Sequence, residues 1–136
     1  MSEDADKRVQ VVREVYQALN NQDLELISSL LADDCVRHFP NGESPISGDH
    51  RGRSAVLQSY AHPLTISGKT LRIEVGGIAA NERLVVSYHH ESARRASDGL
   101  ELDSDMLVKW RFETDKIAEI SDYAQDIPHL DRFLCS

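Results

Sequence analysis

Apolar residues recur at three- and four-residue spacing in the opening segment and at two-residue spacing from Thr70 onward. Val9, Val12, Val15, Tyr16 and Leu19 make one stripe and predict a helix over residues 5–20. Glu3, Asp4 and Asp6 suit the positive end of its dipole. Asn20-Asn21-Gln22 breaks the pattern, and Asp23 is placed to cap a second helix that buries Leu24, Ile27, Leu30 and Leu31. A short strand over residues 36–39 ends at Pro40, and Asn41-Gly42-Glu43-Ser44-Pro45 has turn chemistry. After a Gly48-to-Gly52 turn, a third helix over residues 54–61 is expected to stop at Pro63.

Leu71, Ile73 and Val75 then alternate with Thr70, Arg72 and Glu74, and Gly76-Gly77 invites a bulge. A strand over residues 84–93 turns at Ala96-Ser97-Asp98-Gly99 into the cleanest alternation of the chain. There Leu102, Ser104, Met106, Val108, Trp110 and Phe112 share one face. Glu113-Thr114-Asp115-Lys116 leads to a last strand over residues 117–123, and residues 126–134 suit a tail helix. This order predicts a single α+β domain over residues 1–136. A curved, mostly antiparallel sheet wraps around three N-terminal helices. The conical hole left inside is a small-molecule pocket by default.

Composition narrows the function classes. The 136 residues are 40% hydrophobic and 28% charged, with a formal net charge of −8. An acidic balance lacks the basic footprint of a nucleic-acid binder. No run of about 18 apolar residues offers a membrane span, and the acidic start is unlike a signal peptide. Cys35 and Cys135 form no CxxC pair, and two free thiols in a reducing cytoplasm are expected.

The candidate chemistry is acid/base. His38 lies on the first strand and Asp122 on the last. His89 and Glu91 are two apart, so on a strand they share a face, and the carboxylate can orient the imidazole. Together the four would bracket a ligand with proton-handling groups. Tyr16, Phe39, Met106, Val108 and Trp110 are expected around the pocket, the aromatic and sulfur side chains stacking on a ligand or filling core. His38, His89 and Glu91 have the composition of a two-His-one-carboxylate set but no compact metal spacing, so no metal or other cofactor is expected. Leu84, Val86, Tyr88 and His90 share the opposite face and suggest a homodimer through the sheet.

Several phrases carry a resemblance: the run from Val15 to Leu24, Leu31-Ala32-Asp33-Asp34-Cys35-Val36, Gly48 to Val56, and Trp110-Arg111-Phe112 with Lys116-Ile117 and Asp122-Tyr123. Across nearly the whole chain this resembles the nuclear transport factor 2-like superfamily, in its SnoaL-like and ketosteroid-isomerase-related branch. The resemblance implies a cone-shaped fold. It places His38 where a steroid isomerase carries its aspartate base, and Val108 where it carries an oxyanion-hole aspartate. It sets His89, Glu91 and Asp122 at the arginine, aspartate and aspartate positions of limonene-epoxide-hydrolase-like proteins. Two functions stay open: a cofactor-independent isomerase, cyclase or hydrolase acting on a small, mostly apolar molecule, or a non-catalytic ligand-binding or dimerisation module.

Overall fold

The computed structural model describes residues 2–135. Its elements run α1 (Glu3–Asn21), α2 (Leu24–Leu30), β1 (Leu31–Phe39), β2 (Gly48–Arg51), α3 (Arg53–Ile66), β3 (Arg72–Ala80), β4 (Leu84–Arg94), β5 (Glu101–Glu113), β6 (Lys116–Ala124) and α4 (Ile127–Leu134). The strands form one open sheet in the order β2-β1-β6-β5-β4-β3. Every pairing is antiparallel except β1 with β6, which is parallel. This is the expected α+β wrap.

Local chemistry sets the element ends. The Ser2 hydroxyl accepts from Ala5 N–H at the start of α1, and the helix ends on Gln22 in the left-handed region. Asp23 caps α2 by accepting from Leu26 N–H. Leu31 is fully buried, but as the first residue of β1 rather than the last of α2. The expected glycine turn at residues 48–52 contains a strand, β2, that pairs with β1. Pro63 lies inside α3 and does not end it. Its missing N–H removes one bond toward Ser59, and one more turn continues to a cap in which Ser67 N–H reaches Pro63 O.

The bulge expected at the paired glycines is present between Val75 and Gly77. The Tyr88 ring lies against Gly76 where a Cβ would otherwise sit, so only glycine fits this close approach. On β5, Leu102, Ser104, Met106, Val108 and Trp110 all point inward and are buried. They pack under α1, which contacts β3 and β4 on the same concave side.

Candidate active site

One cavity opens between the concave face of the sheet and the helices. Its wall is mostly apolar: Leu19, Phe39, Ile46, Leu71, Ile73 and Val108 are joined by Leu130 and Leu134 from α4. Its free interior is about 30 Å³, room for one or two waters. Two polar groups interrupt this wall.

The first is a chain of hydrogen bonds. Trp110 Nε1 donates to Ser87 Oγ at 2.8 Å, and Ser87 Oγ lies 2.6 Å from Tyr16 Oη. Tyr16 Oη lies 2.8 Å from His89 Nδ1, and His89 Nε2 lies 2.8 Å from Glu91 Oε1. The donor inventory gives the chain one direction when Glu91 is ionised and His89 neutral. Indole only donates and carboxylate only accepts, so Nε2 carries the imidazole proton. Nδ1 then accepts from Tyr16, Tyr16 accepts from Ser87, and Ser87 accepts from Trp110. Every polar side-chain atom of the chain except Glu91 Oε2 has a hydrogen-bond partner within it. The Tyr16 ring also meets His89 and Trp110 edge-on. Burial pushes the Tyr16 phenol well above its ordinary pKa, only partly opposed by the Ser87 hydrogen bond.

The second group is an ion pair. Arg37 Nε donates to Asp122 Oδ2 at 2.8 Å, with side chains only 7% and 3% exposed. Arg37 Nη1 donates to Ser59 Oγ at 3.0 Å. The guanidinium carbon lies 3.9 Å from the centre of the Tyr60 ring and 4.9 Å from that of Phe39. Burial alone would pull the Arg37 pKa down, but the Asp122 charge and hydrogen bond outweigh it and hold the guanidinium charged. Burial likewise pushes the Tyr60 phenol up, against the lowering effect of Arg37.

Arg37 Nη2, Asp122 Oδ1 and Tyr60 Oη make no hydrogen bond to any other described residue. They are not sealed off either. Arg53 Nε is the only fully buried side-chain nitrogen or oxygen without a partner among the described residues. Their three residues all line the cavity, so these unspent polar ends border open space.

His89, Glu91 and Asp122 therefore reach one cavity, together with Tyr16, Phe39, Val108 and Trp110. His38 does not. It sits on the outer side of β1, its Nδ1 2.7 Å from Asp49 and its Nε2 2.7 Å from Glu119. Its side chain is 34% exposed, and both carboxylates raise its pKa. The pairing of His38 with Asp122 across a ligand is thereby overturned. The reason is strand parity: Arg37 and Phe39 face inward, so His38 faces out. Met106 is also corrected. It is buried in the core beside His89 on β5 and does not border the cavity. With His38 outside, the two-His-one-carboxylate set is not assembled, and no other such cluster occurs among the described residues.

Arg37, Tyr60 and Ser87 are the site residues that sequence reasoning passed over. Comparison with known proteins then bears on the fold. The SnoaL-like domain family matches residues 12–120. The chain belongs to that family. Among solved structures, this SnoaL-like chain resembles Bal32a from a soil-derived mobile gene cassette. The two are 24% identical over 97% of this chain and 99% of the other, with a TM-score of 0.90. TerC co-crystallised with polyporic acid is 18% identical over 94% and 98%, with a TM-score of 0.81. A protein from Jannaschia sp. CCS1 assigned as a SnoaL-like polyketide cyclase is 11% identical over 100% and 96%, with a TM-score of 0.83. At such identities the likeness is one of fold. No curated protein matches the chain.

Proposed function

We propose that this SnoaL-like domain is a cofactor-independent acid/base enzyme acting on a small, mostly apolar organic molecule. One observation carries the reading. Unspent ends of Asp122 and Arg37 border the same apolar cavity as the Tyr16–His89–Glu91 chain. A buried ion pair and a buried imidazole chain are costly to hold in a core that could be apolar. Such groups concentrate where protons are moved.

In this reading Asp122 is the base. It accepts a proton through Oδ1, from carbon next to a carbonyl or from a water. His89 is the second proton carrier. Tyr16 Oη takes a proton from the ligand or a cavity water as its own hydroxyl proton passes to His89 Nδ1, and the reverse shift returns a proton from Tyr16 Oη to the ligand. Isomerisation, aldol-type cyclisation and hydrolysis all use such a pair. The polyketide-cyclase assignment of one neighbour and the co-crystallisation of another with polyporic acid suit this class.

The test is hydrogen exchange with heavy water, followed by NMR, over a panel of small aromatic and alicyclic ketones. The expected result is exchange next to the carbonyl for at least one ketone, lost in Asp122→Asn. Exchange that survives in both Asp122→Asn and His89→Gln would remove the acid/base assignment.

The narrow interior favours a second reading, a non-catalytic binding or dimerisation module. Trp110 borders the cavity, but Phe112 and Met106 do not fill it, which keeps the enzyme reading ahead. Dimerisation suits either reading. Tyr88, Leu107 and Tyr123 are lateral neighbours on β4, β5 and β6, and all three are exposed on the outer face. We place a second copy of this chain there, and the two free thiols fit a cytoplasmic setting.

A further inference from the structure

We propose that α4 is a lid. It swings outward as a unit about the Gln125–Asp126 link, uncovers the cavity while the sheet stays folded, and is held shut by Arg95. The lid serves a catalytic and a non-catalytic cavity alike, so it does not depend on the acid/base reading.

The need for a moving wall comes from size. The closed interior of about 30 Å³ takes water, whereas organic ligands occupy pockets of roughly 300–1,000 Å³. Part of the wall must give way before such a molecule enters. The strands of the wall are tied into the sheet by backbone ladders. Helices α1 and α3, at 19 and 14 residues, bury long faces. Helix α4 has eight residues and buries Leu130, Phe133 and Leu134, of which Leu130 and Leu134 are cavity wall. It is the least anchored helix around the cavity.

Its two ends are held differently. At the first turn Asp126 accepts from His129 N–H, a cap supplied by the adjoining chain. At the last turn the cap comes from elsewhere. Arg95, in the turn between β4 and β5, shares its Nη1 protons among the carbonyls of Arg132, Phe133 and Cys135, at 2.8, 3.2 and 3.0 Å. A cation there also suits the helix dipole. Nε and Nη2 of the same guanidinium pair with the Asp98 carboxylate, which fixes the fork. The turn is a firm post, because Ala96 N–H donates to Ile66 O at the end of α3. Gln125 N–H stays bonded to Asp105 O, which puts the pivot just after it.

The remaining polar ties are few. His62 Nε2 donates to Leu134 O at 2.8 Å, and His129 Nε2 accepts from Asp103 N–H close to the pivot. The Asp131 carboxylate accepts from Glu43 and Ser44 N–H, so the loop that brings Ile46 to the cavity is released with the helix. These contacts lie at or near the surface, where water can replace them. Leu130, Phe133 and Leu134 lose apolar cover on opening, and an apolar ligand restores part of it.

The test is hydrogen exchange of the whole chain, followed by NMR at several urea concentrations below the unfolding transition. An opening smaller than global unfolding exchanges with little urea dependence. Amides of residues 130–135 should exchange at least tenfold faster than those of β5, with a shallower urea slope. Trp110 is the one tryptophan of the chain, and its residue borders the cavity. Its single indole N–H signal should exchange with α4 rather than with β5. Arg95→Gln should speed both at least tenfold and keep the slope shallow, whereas a merely structural loss brings in the steep slope of global unfolding. If Arg95→Gln fails to fold, Asp98→Asn loosens the fork instead, with a several-fold effect expected. Amides of α4 that exchange only with β5, an indole that follows β5, or unchanged exchange in the folded latch variant each overturns the inference.

Discussion

Arg37 and His38 are chain neighbours that serve opposite faces of β1: Arg37 Nε meets Asp122 inside at 2.8 Å, while His38 bridges Asp49 and Glu119 outside. The inner contact couples the first strand to the last across the parallel β1–β6 pairing. Its removal should reveal how a buried pair behaves. Arg37→Met leaves Asp122 buried without its cation and should cost roughly 3–5 kcal/mol. Adding Asp122→Leu should return most of that loss, because two apolar side chains then replace two charges. Urea unfolding of the two single variants and the double variant measures the coupling. A double variant as unstable as the sum of the singles would show that the pair is not energetically linked.

The hydrogen-bond chain makes a separate prediction about proton position. Glu91 accepts from His89 Nε2 and so keeps Nδ1 free to accept from Tyr16. An amide at residue 91 brings an NH2 donor that a carboxylate lacks, and with that donor facing Nε2 the ring takes the other tautomer and Tyr16 turns around. Glu91→Gln should therefore lower kcat by tenfold or more on any ketone found to exchange, with KM little changed. The pH profile should shift as well, which a loss of packing alone would not cause. Nitrogen-resolved NMR of the His89 ring should show the protonated nitrogen change from Nε2 to Nδ1.

Trp110 joins this chain to the core. It is nearly fully buried on β5 and spends its indole N–H on Ser87. Trp110→Ala should cost roughly 3–5 kcal/mol, as large-to-small core changes do. Trp110→Phe keeps the ring contacts and loses the donor, so a cost of about 1–3 kcal/mol is expected. Denaturant unfolding separates the two. An alanine variant within about 1 kcal/mol of wild type would contradict the inward register of β5.

The sequence carried the elements better than the site. Alternation over residues 102–112 put the correct face of β5 inward because an amphipathic strand admits only one such register. The polar stretch of β1 gave no such guide. Asp33 and Asp34 lie at its exposed end, so its helix-to-strand switch at Leu31 was hidden behind a leucine that suits either element. His38 and Phe39 were both expected to face the ligand, yet adjacent residues of a regular strand point apart. Keeping Phe39 inside required Arg37 inside, and that parity was the available signal for the ion pair. Ser87 and Tyr60 offered none. A serine on an apolar strand and a tyrosine on a helix acquire meaning only from residues such as Trp110 and Arg37, which are distant in sequence.

Two exposed-side histidines should shape the pH dependence of stability. His38 lies between Asp49 and Glu119, and His90 between Asp103 and Asp105. The carboxylate hydrogen bonds raise both from the ordinary value of 6.5, against the opposing effect of burial. A raised histidine stabilises the fold fully below its unfolded pKa and loses that contribution as pH rises through its folded pKa. Asp49, Glu119 and Asp105 are lowered by the same contacts, and their share is lost instead as the medium becomes acidic. Tm should therefore fall from about pH 6 towards pH 9. Calorimetry on a His38→Gln, His90→Gln double variant should show a flatter decline, and an unchanged slope would assign it to other groups.

The outer face of the sheet supports the last expectation. Tyr88, Leu107 and Tyr123 form one lateral row at 42%, 50% and 54% exposure, with Val86 beside it. Tyr88 is held in place because its ring lies over Gly76 at the bulge of β3. A row of large apolar groups on the outer face of the sheet loses solvent contact if a second copy covers it. His90 with Asp103 and Asp105 gives that patch a charged border. Light scattering at micromolar concentration should thus give twice the 15.3 kDa chain mass. Leu107→Arg puts a cation at the middle of the row, on a side chain that is exposed in the single chain and so leaves its core untouched. This variant should run as a folded monomer while the Arg37 cavity stays intact on the other face of the sheet. A wild-type monomer would remove the dimer reading, and a dimer that survives Leu107→Arg would place the interface elsewhere.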